Sequence, residues 1–208
     1  MANFVGFKKP AVRKRVFFHR RTVALIVRGK KSEKHSPELM EQHADVVLPS
    51  GEIVGFFGEN AGNSGEGSGF NLKGVVYDTS PDGLMKKRPY YVDINLAKKM
   101  NVVSTVLILQ ITNDQAVEFS VYWDKLKKEA GEFNIVGENC STRASSGFQS
   151  AGLIKGEIPG LDTPNNLYQL LRHKYKVNSK TMSGYVGLEA LPIKPPLSPR
   201  FNLIIEEK

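Results

Sequence analysis

One thiol is available for chemistry in this 208-residue chain: Cys140, in Glu138-Asn139-Cys140-Ser141-Thr142. It follows the glycine of Phe133-Asn134-Ile135-Val136-Gly137, and a helix is expected to start at the cysteine itself. A thiol at a helix N-terminus has its thiolate stabilised by the backbone N–H groups and by the helix dipole. That placement suits a nucleophile, which also needs a nearby base and a third group to orient it. The competing reading is a small apolar residue packed in the core. Polar neighbours at Asn139, Ser141 and Thr142 weigh against it.

Four histidines compete for the role of base. His19 falls in a basic segment and His35 in a polar connector, and His173 is placed near the C-terminus of a helix, where a cation is favoured. His43 opens the strand-like run Ala44-Asp45-Val46-Val47-Leu48, a rigid element able to aim an imidazole. Other chemistries lack their residues. Neither Cys-x-x-Cys nor His-Glu-x-x-His occurs, and no Gly-x-Ser-x-Gly elbow is present. The glycine-rich run 58–69 has no Gly-Lys-Ser/Thr ending and is acidic, which argues for a mobile loop beside a cleft rather than a phosphate cradle.

The elements that must carry these residues follow from local pattern. Strands are expected at Thr22–Val27, His43–Leu48, Glu52–Phe57, Leu72–Tyr77 and Tyr90–Val92, with Pro49-Ser50-Gly51 reversing the chain between the second and third. Asn101–Thr112 is the strongest β signal. Ser36-Pro37-Glu38-Leu39 reads as a short helix start. A helix over about Asp114–Ala130 would bury Val117, Tyr122, Leu126 and Ala130. In the cysteine helix, Cys140, Ala144, Phe148 and Ala151 share one face, which should pack on the sheet and leave the thiol at its rim. Thr163-Pro164 caps a third helix, Asn165–Lys174, with Leu167, Leu170 and Leu171 inward. From Pro192 the chain is proline-rich and closes on Phe201–Ile205, an expected edge strand.

Composition is that of a globular domain, at 40% hydrophobic and 24% charged residues, and a lone cysteine excludes an internal disulfide framework. The net charge of +8 is uneven: residues 1–34 hold eleven bases and one acid, so the remainder is nearly neutral. Such a basic segment attracts polyanions, or merely aids solubility. The apolar run Thr22–Val27 is too short for a signal peptide or a membrane span and reads as a buried strand.

The run from His43 to Gly58 (HADVVLPSGEIVGFFG) resembles the histidine hairpin of NlpC-type papain-like cysteine peptidases. Phe133 to Ser141 (FNIVGENCS), with Ala151-Gly152-Leu153 and Thr163 to Tyr168 (TPNNLY), resembles their cysteine helix and the helix after it. Histidine precedes cysteine by 97 residues, which resembles the order of the circularly permuted branch, several members of which are similar small effectors of type VI secretion that attack peptidoglycan peptides.

The resemblance spans roughly residues 43–171 and implies an α+β, permuted papain-like fold, with a central antiparallel sheet packed against the cysteine-bearing helix. It implies Cys140 as nucleophile and His43 as base. The family's polar third position falls near Gly55, so Asp45, Glu59 or Asn60 would have to substitute, or the site is a dyad. One domain is expected overall: a basic segment with the first strand (1–34), a catalytic body (35–191) and a proline-rich tail (192–208). The implied function is cleavage of peptidoglycan amides without cofactor or metal. Implied partners are an immunity protein and a secretion apparatus, with export lacking a signal peptide and action in a target periplasm or a host cytosol. The alternatives are a thiol enzyme acting on lipid acyl chains or a host-protein amide, and a non-enzymatic module binding nucleic acid or envelope through residues 1–34. Nucleic acid is not the expected partner.

Overall fold

Branched apolar residues decide the centre of the sheet. A computed structural model describes residues 12–38, 41–59, 72–135, 137–156, 162–192 and 200–208. Strand β2 (Thr22–Arg28) is buried throughout, which requires cover on both faces. Val23, Leu25 and Val27 enter one apolar layer, and Ala24 and Ile26 enter the other.

The remaining strands are β1 (Arg13–Phe17), β3 (His43–Val47), β4 (Ile53–Gly58), β5 (Leu72–Tyr77), β6 (Val103–Gln110), β7 (Glu132–Phe133), β8 (Ser179–Ala190) and β9 (Phe201–Glu206). They form one nine-stranded sheet in the order β1-β9-β8-β6-β2-β3-β4-β5-β7. Its neighbours pair antiparallel throughout. The described residues also hold helices α1 (Leu84–Lys87), α2 (Ile94–Lys99), α3 (Asn113–Lys128), α4 (Cys140–Ser150) and α5 (Pro164–Lys174), with a 3-10 turn at Pro89–Tyr91. The class is α+β.

Helices α3, α4 and α5 bury Phe119, Trp123, Ala144, Phe148, Leu167 and Leu171 against one sheet face. The other face meets Leu84 of α1 and Val92, and is further enclosed by Val186, Leu203 and Ile205 of the curled far strands. That curl brings Phe201 N–H to Ser50 O at 3.1 Å, against the β3–β4 turn. Gly51 in this turn has φ +85°, and a Cβ on it would stand 2.0 Å from Phe201 O. Glycine is required there twice over, for conformation and for space.

Several expectations change. Residues 89–91 form the 3-10 turn instead of a strand, because Pro89 sits in its first turn and cannot donate to a ladder. The C-terminal run is internal: β9 lies between β8 and β1, and β1 takes the edge. In α3 the buried face is Ala116, Phe119, Trp123 and Leu126, while Val117 is 57% exposed, since the aromatic pair Phe119 and Trp123 sets the rotation. Of the expected helix start at Ser36–Leu39, residues 36–38 carry no helix and Leu39 lies outside the described residues. Strand β8 was not anticipated, although Met182, Gly184 and Val186 alternate inward along it. The proline-rich residues 193–199 and most of the glycine-rich run lie outside the described residues.

Candidate active site

Helix α4 begins at Cys140 because Asn139 caps it. The Asn139 side chain accepts from the amides of Ser141 and Thr142 at 2.8 and 3.1 Å, while its own amide group donates to Ile135 O at 3.1 Å. The cap therefore fixes both the first turn and the segment entering it. Ser141 and Ser145 donate to Asp162 Oδ1 at 2.9 and 3.2 Å, tying α4 to the start of α5. Burial pushes the Asp162 carboxyl up, and its hydroxyl donors only partly offset this. Cys140, Ala144, Phe148 and Ala151 form the buried face read from sequence, with Cys140 still 9% exposed. The thiol lies at the rim.

His43 is the first residue of β3 and keeps 16% of its side chain exposed. Its Nε2 is 2.8 Å from Asp45 Oδ1, and the Cys140 side chain lies close enough to act on the ring's charge. With Nε2 committed to the carboxylate, Nδ1 is the nitrogen left for the thiol. The ring stacks on Phe57 at 4.3 Å between centroids and lies 5.7 Å from Tyr91. Burial alone would lower the imidazole pKa, but the negative charge of Cys140 and then that of Asp45 outweigh it, raising it to about 10. The arrangement therefore favours a protonated His43 ring between Asp45 and Cys140.

Asp45 is fully buried, and its second oxygen, Oδ2, accepts from Arg28 Nε at 2.7 Å. Burial pushes this carboxyl up, yet Arg28 and then His43 hold it below its ordinary range. Strand register explains the meeting: Arg28 pairs with His43, and Asp45 pairs with Gly55. A Cβ on Gly55 would stand 2.1 Å from Asp45 Oδ1. The position where the resemblance leads one to look for a polar side chain is empty so that Asp45 can fill it from the neighbouring strand.

The structure thus brings Cys140, His43 and Asp45 together. Glu59 pairs with Lys73 at 3.3 Å on β5, while Asn60 lies outside the described residues. His19 bonds Thr22 within its turn, the His35 ring accepts from the Lys31 amide, and His173 is exposed at the end of α5. Sequence reasoning missed Arg28, Phe57 and Tyr91. The available signal was Arg28 itself, a lone charge closing the apolar strand Thr22–Val27.

The residue before His43 is also anchored. Gln42 Oε1 accepts from Asn165 N at 2.9 Å, and buried Lys30 reaches Asn165 Oδ1 at 2.9 Å. A cleft of about 410 Å³ opens beside His43, walled by Arg28, Lys31, Glu41, Tyr90 and Tyr91. A larger cavity, about 660 Å³, lies at the β3–β4 turn, the opposite end of β3, and holds none of these groups. Among the described residues no cluster of His, Cys, Asp or Glu is arranged to hold a metal, and no helix is long and apolar enough to cross a membrane.

Of the basic N-terminal segment, Arg13, Lys14 and Arg15 are not free cations: they pair with Glu206, Glu207 and Glu189. Comparison with family models, with curated proteins and with solved structures finds no match to this chain.

Proposed function

We propose that this chain is a cysteine hydrolase that cleaves amide bonds, built on a circularly permuted papain-like fold and using Cys140, His43 and Asp45. The observation that carries the reading is the double engagement of one imidazole, His43, by Asp45 at 2.8 Å and by Cys140. Nucleophile, base and orienting group are in the relation that acyl transfer demands.

In the proposed reaction the Cys140 thiolate attacks the amide carbonyl carbon and forms the C–S bond. The oxyanion is met by backbone N–H at the start of α4, where Asn139 engages the amides of Ser141 and Thr142 and not that of Cys140. His43 Nδ1 gives its proton to the departing amine as the C–N bond breaks, leaving a thioester. Neutral His43 then takes a proton from water, whose oxygen attacks the thioester. The carboxylic acid leaves, and the thiolate–imidazolium pair returns.

Peptidoglycan peptides are the proposed substrate, and delivery into a rival bacterium's periplasm the proposed setting. Both rest on the sequence resemblance. The test is the product profile of purified sacculi incubated with wild type, Cys140→Ala and His43→Ala. Wild type is expected to release new amine termini, and each variant to lose this at least about a hundredfold with an unchanged circular-dichroism spectrum. Release by purified Cys140→Ala would overturn the assignment. Release from a lipid amide or a host-protein amide only would keep the chemistry and move the substrate.

A further inference from the structure

We infer that Arg28 is a positioning residue of this site, aiming the Asp45 carboxylate at His43 while tying down the turn that walls the imidazole; the inference rests on the thiol-hydrolase reading. Arg28 closes β2 directly across from His43 in the ladder and one diagonal from Asp45. Its side chain is 3% exposed, and its Nε takes Asp45 Oδ2 at 2.7 Å, which leaves Oδ1 for His43 Nε2. Its Nη2 donates to Tyr91 O at 3.0 Å, and its guanidinium carbon lies 4.4 Å over the Tyr91 ring. One planar group therefore holds both the carboxylate and the aromatic wall that flank the imidazole.

A dry ion pair is weak evidence for stability as such, because apolar residues of equal volume often serve as well. What an apolar pair could not supply is a fixed charge in two directions. A guanidinium does this through its rigid fork, and an ammonium, a point charge, does not. The groups that face Asp45 are Arg28 from β2, His43 from β3 and Tyr91 from the 3-10 turn, and Gly55 opposite it on β4 brings no charge. Cys140 acts from the far side of His43. Without Arg28, burial would drive Asp45 to bind a proton, and a neutral carboxyl would no longer hold an imidazolium.

The experiment needs no substrate. The rate of Cys140 alkylation by iodoacetamide is measured against pH for wild type, Arg28→Lys, Arg28→Met, Asp45→Asn and the Arg28→Met/Asp45→Asn double variant. The His43 imidazole resonances are followed by NMR in the same samples. Arg28→Met is expected to move the acid limb of alkylation up by about one pH unit, a tenfold loss on that limb, and to abolish the Nε2–H resonance. Arg28→Lys, which keeps the charge and loses the fork, should give an intermediate limb and a weakened resonance. In the Asp45→Asn background Arg28→Met should add nothing.

A wild-type limb and resonance in Arg28→Met, or an equal added shift in the Asp45→Asn background, would overturn the role. Should Arg28→Met fail to fold, a wild-type limb and resonance in Arg28→Lys would overturn it alone. Failure of the hydrolase reading looks different: wild type and His43→Ala would alkylate with one pH dependence. The His43 resonance in the Arg28 variants would still decide the positioning role.

Discussion

The imidazole of His43 carries opposing influences whose balance sets its charge. Burial favours the neutral ring, while Cys140 and Asp45 favour the cation and prevail, so its pKa rises from 6.5 to about 10. A raised folded-state pKa means that protonation stabilises the fold. That contribution is complete below about pH 6.5 and is lost as pH climbs through about 10. Thermal melts of wild type and His43→Gln should therefore converge across this window, and a constant difference would contradict the pairing. Cys140→Ala removes the largest influence favouring the cation, so the His43 pKa should fall toward its ordinary value, as read by NMR titration. At this scale Cys140 and His43 could be named from sequence, as a thiol at a helix start and a histidine opening a strand, and Asp45 only as one of several candidates for the third place. Arg28 is visible there only as a lone charge closing an apolar strand; its partner sits on another strand, and only register reveals it.

Between elements, the β3–β4 hairpin shows how a strand can supply a side chain that its neighbour lacks. Asp45 on β3 occupies the space above Gly55 on β4. Gly55→Ala would place a methyl group 2.1 Å from Asp45 Oδ1, with Phe57 carbons at 2.8 and 3.0 Å leaving no retreat. The expected cost is about 1–3 kcal/mol of stability, read by urea denaturation, together with loss of the His43 Nε2–H resonance as the carboxylate is displaced. Survival of that resonance would show that the hairpin absorbs the methyl group. Element positions were largely legible: β5 spans the expected Leu72–Tyr77, and α4 starts at Cys140. Strand β8 escaped because its apolar residues are interleaved with Ser183, Gly184 and Gly187, which dilute the signal.

Across the whole molecule, the first and last described strands pair with each other at one side of the sheet. Among the described residues strand β1 pairs only with β9, and buried Glu206 joins Arg13 of β1 to Lys98 of α2. Both cations are about half exposed, so the ion pairs are worth little individually. Glu206→Ala is expected to cost about 1 kcal/mol by urea denaturation and to speed proteolysis within β1. Unchanged proteolysis would mean that the backbone ladder alone secures the strand. The basic segment thus contributes structure where sequence composition pointed only to charge.

Residue types and local pattern already supply the chemistry available, a single thiol at a helix start and a histidine and aspartate two residues apart on one strand. Apolar patterns, which depend only on near neighbours, also marked most of the strands and helices. That Gly55 makes room for Asp45, that Arg28 sits behind it, and that the C-terminal run lies inside the sheet emerges in the folded chain alone. Those outcomes depend on register and strand order, which bring together residues that no local pattern connects.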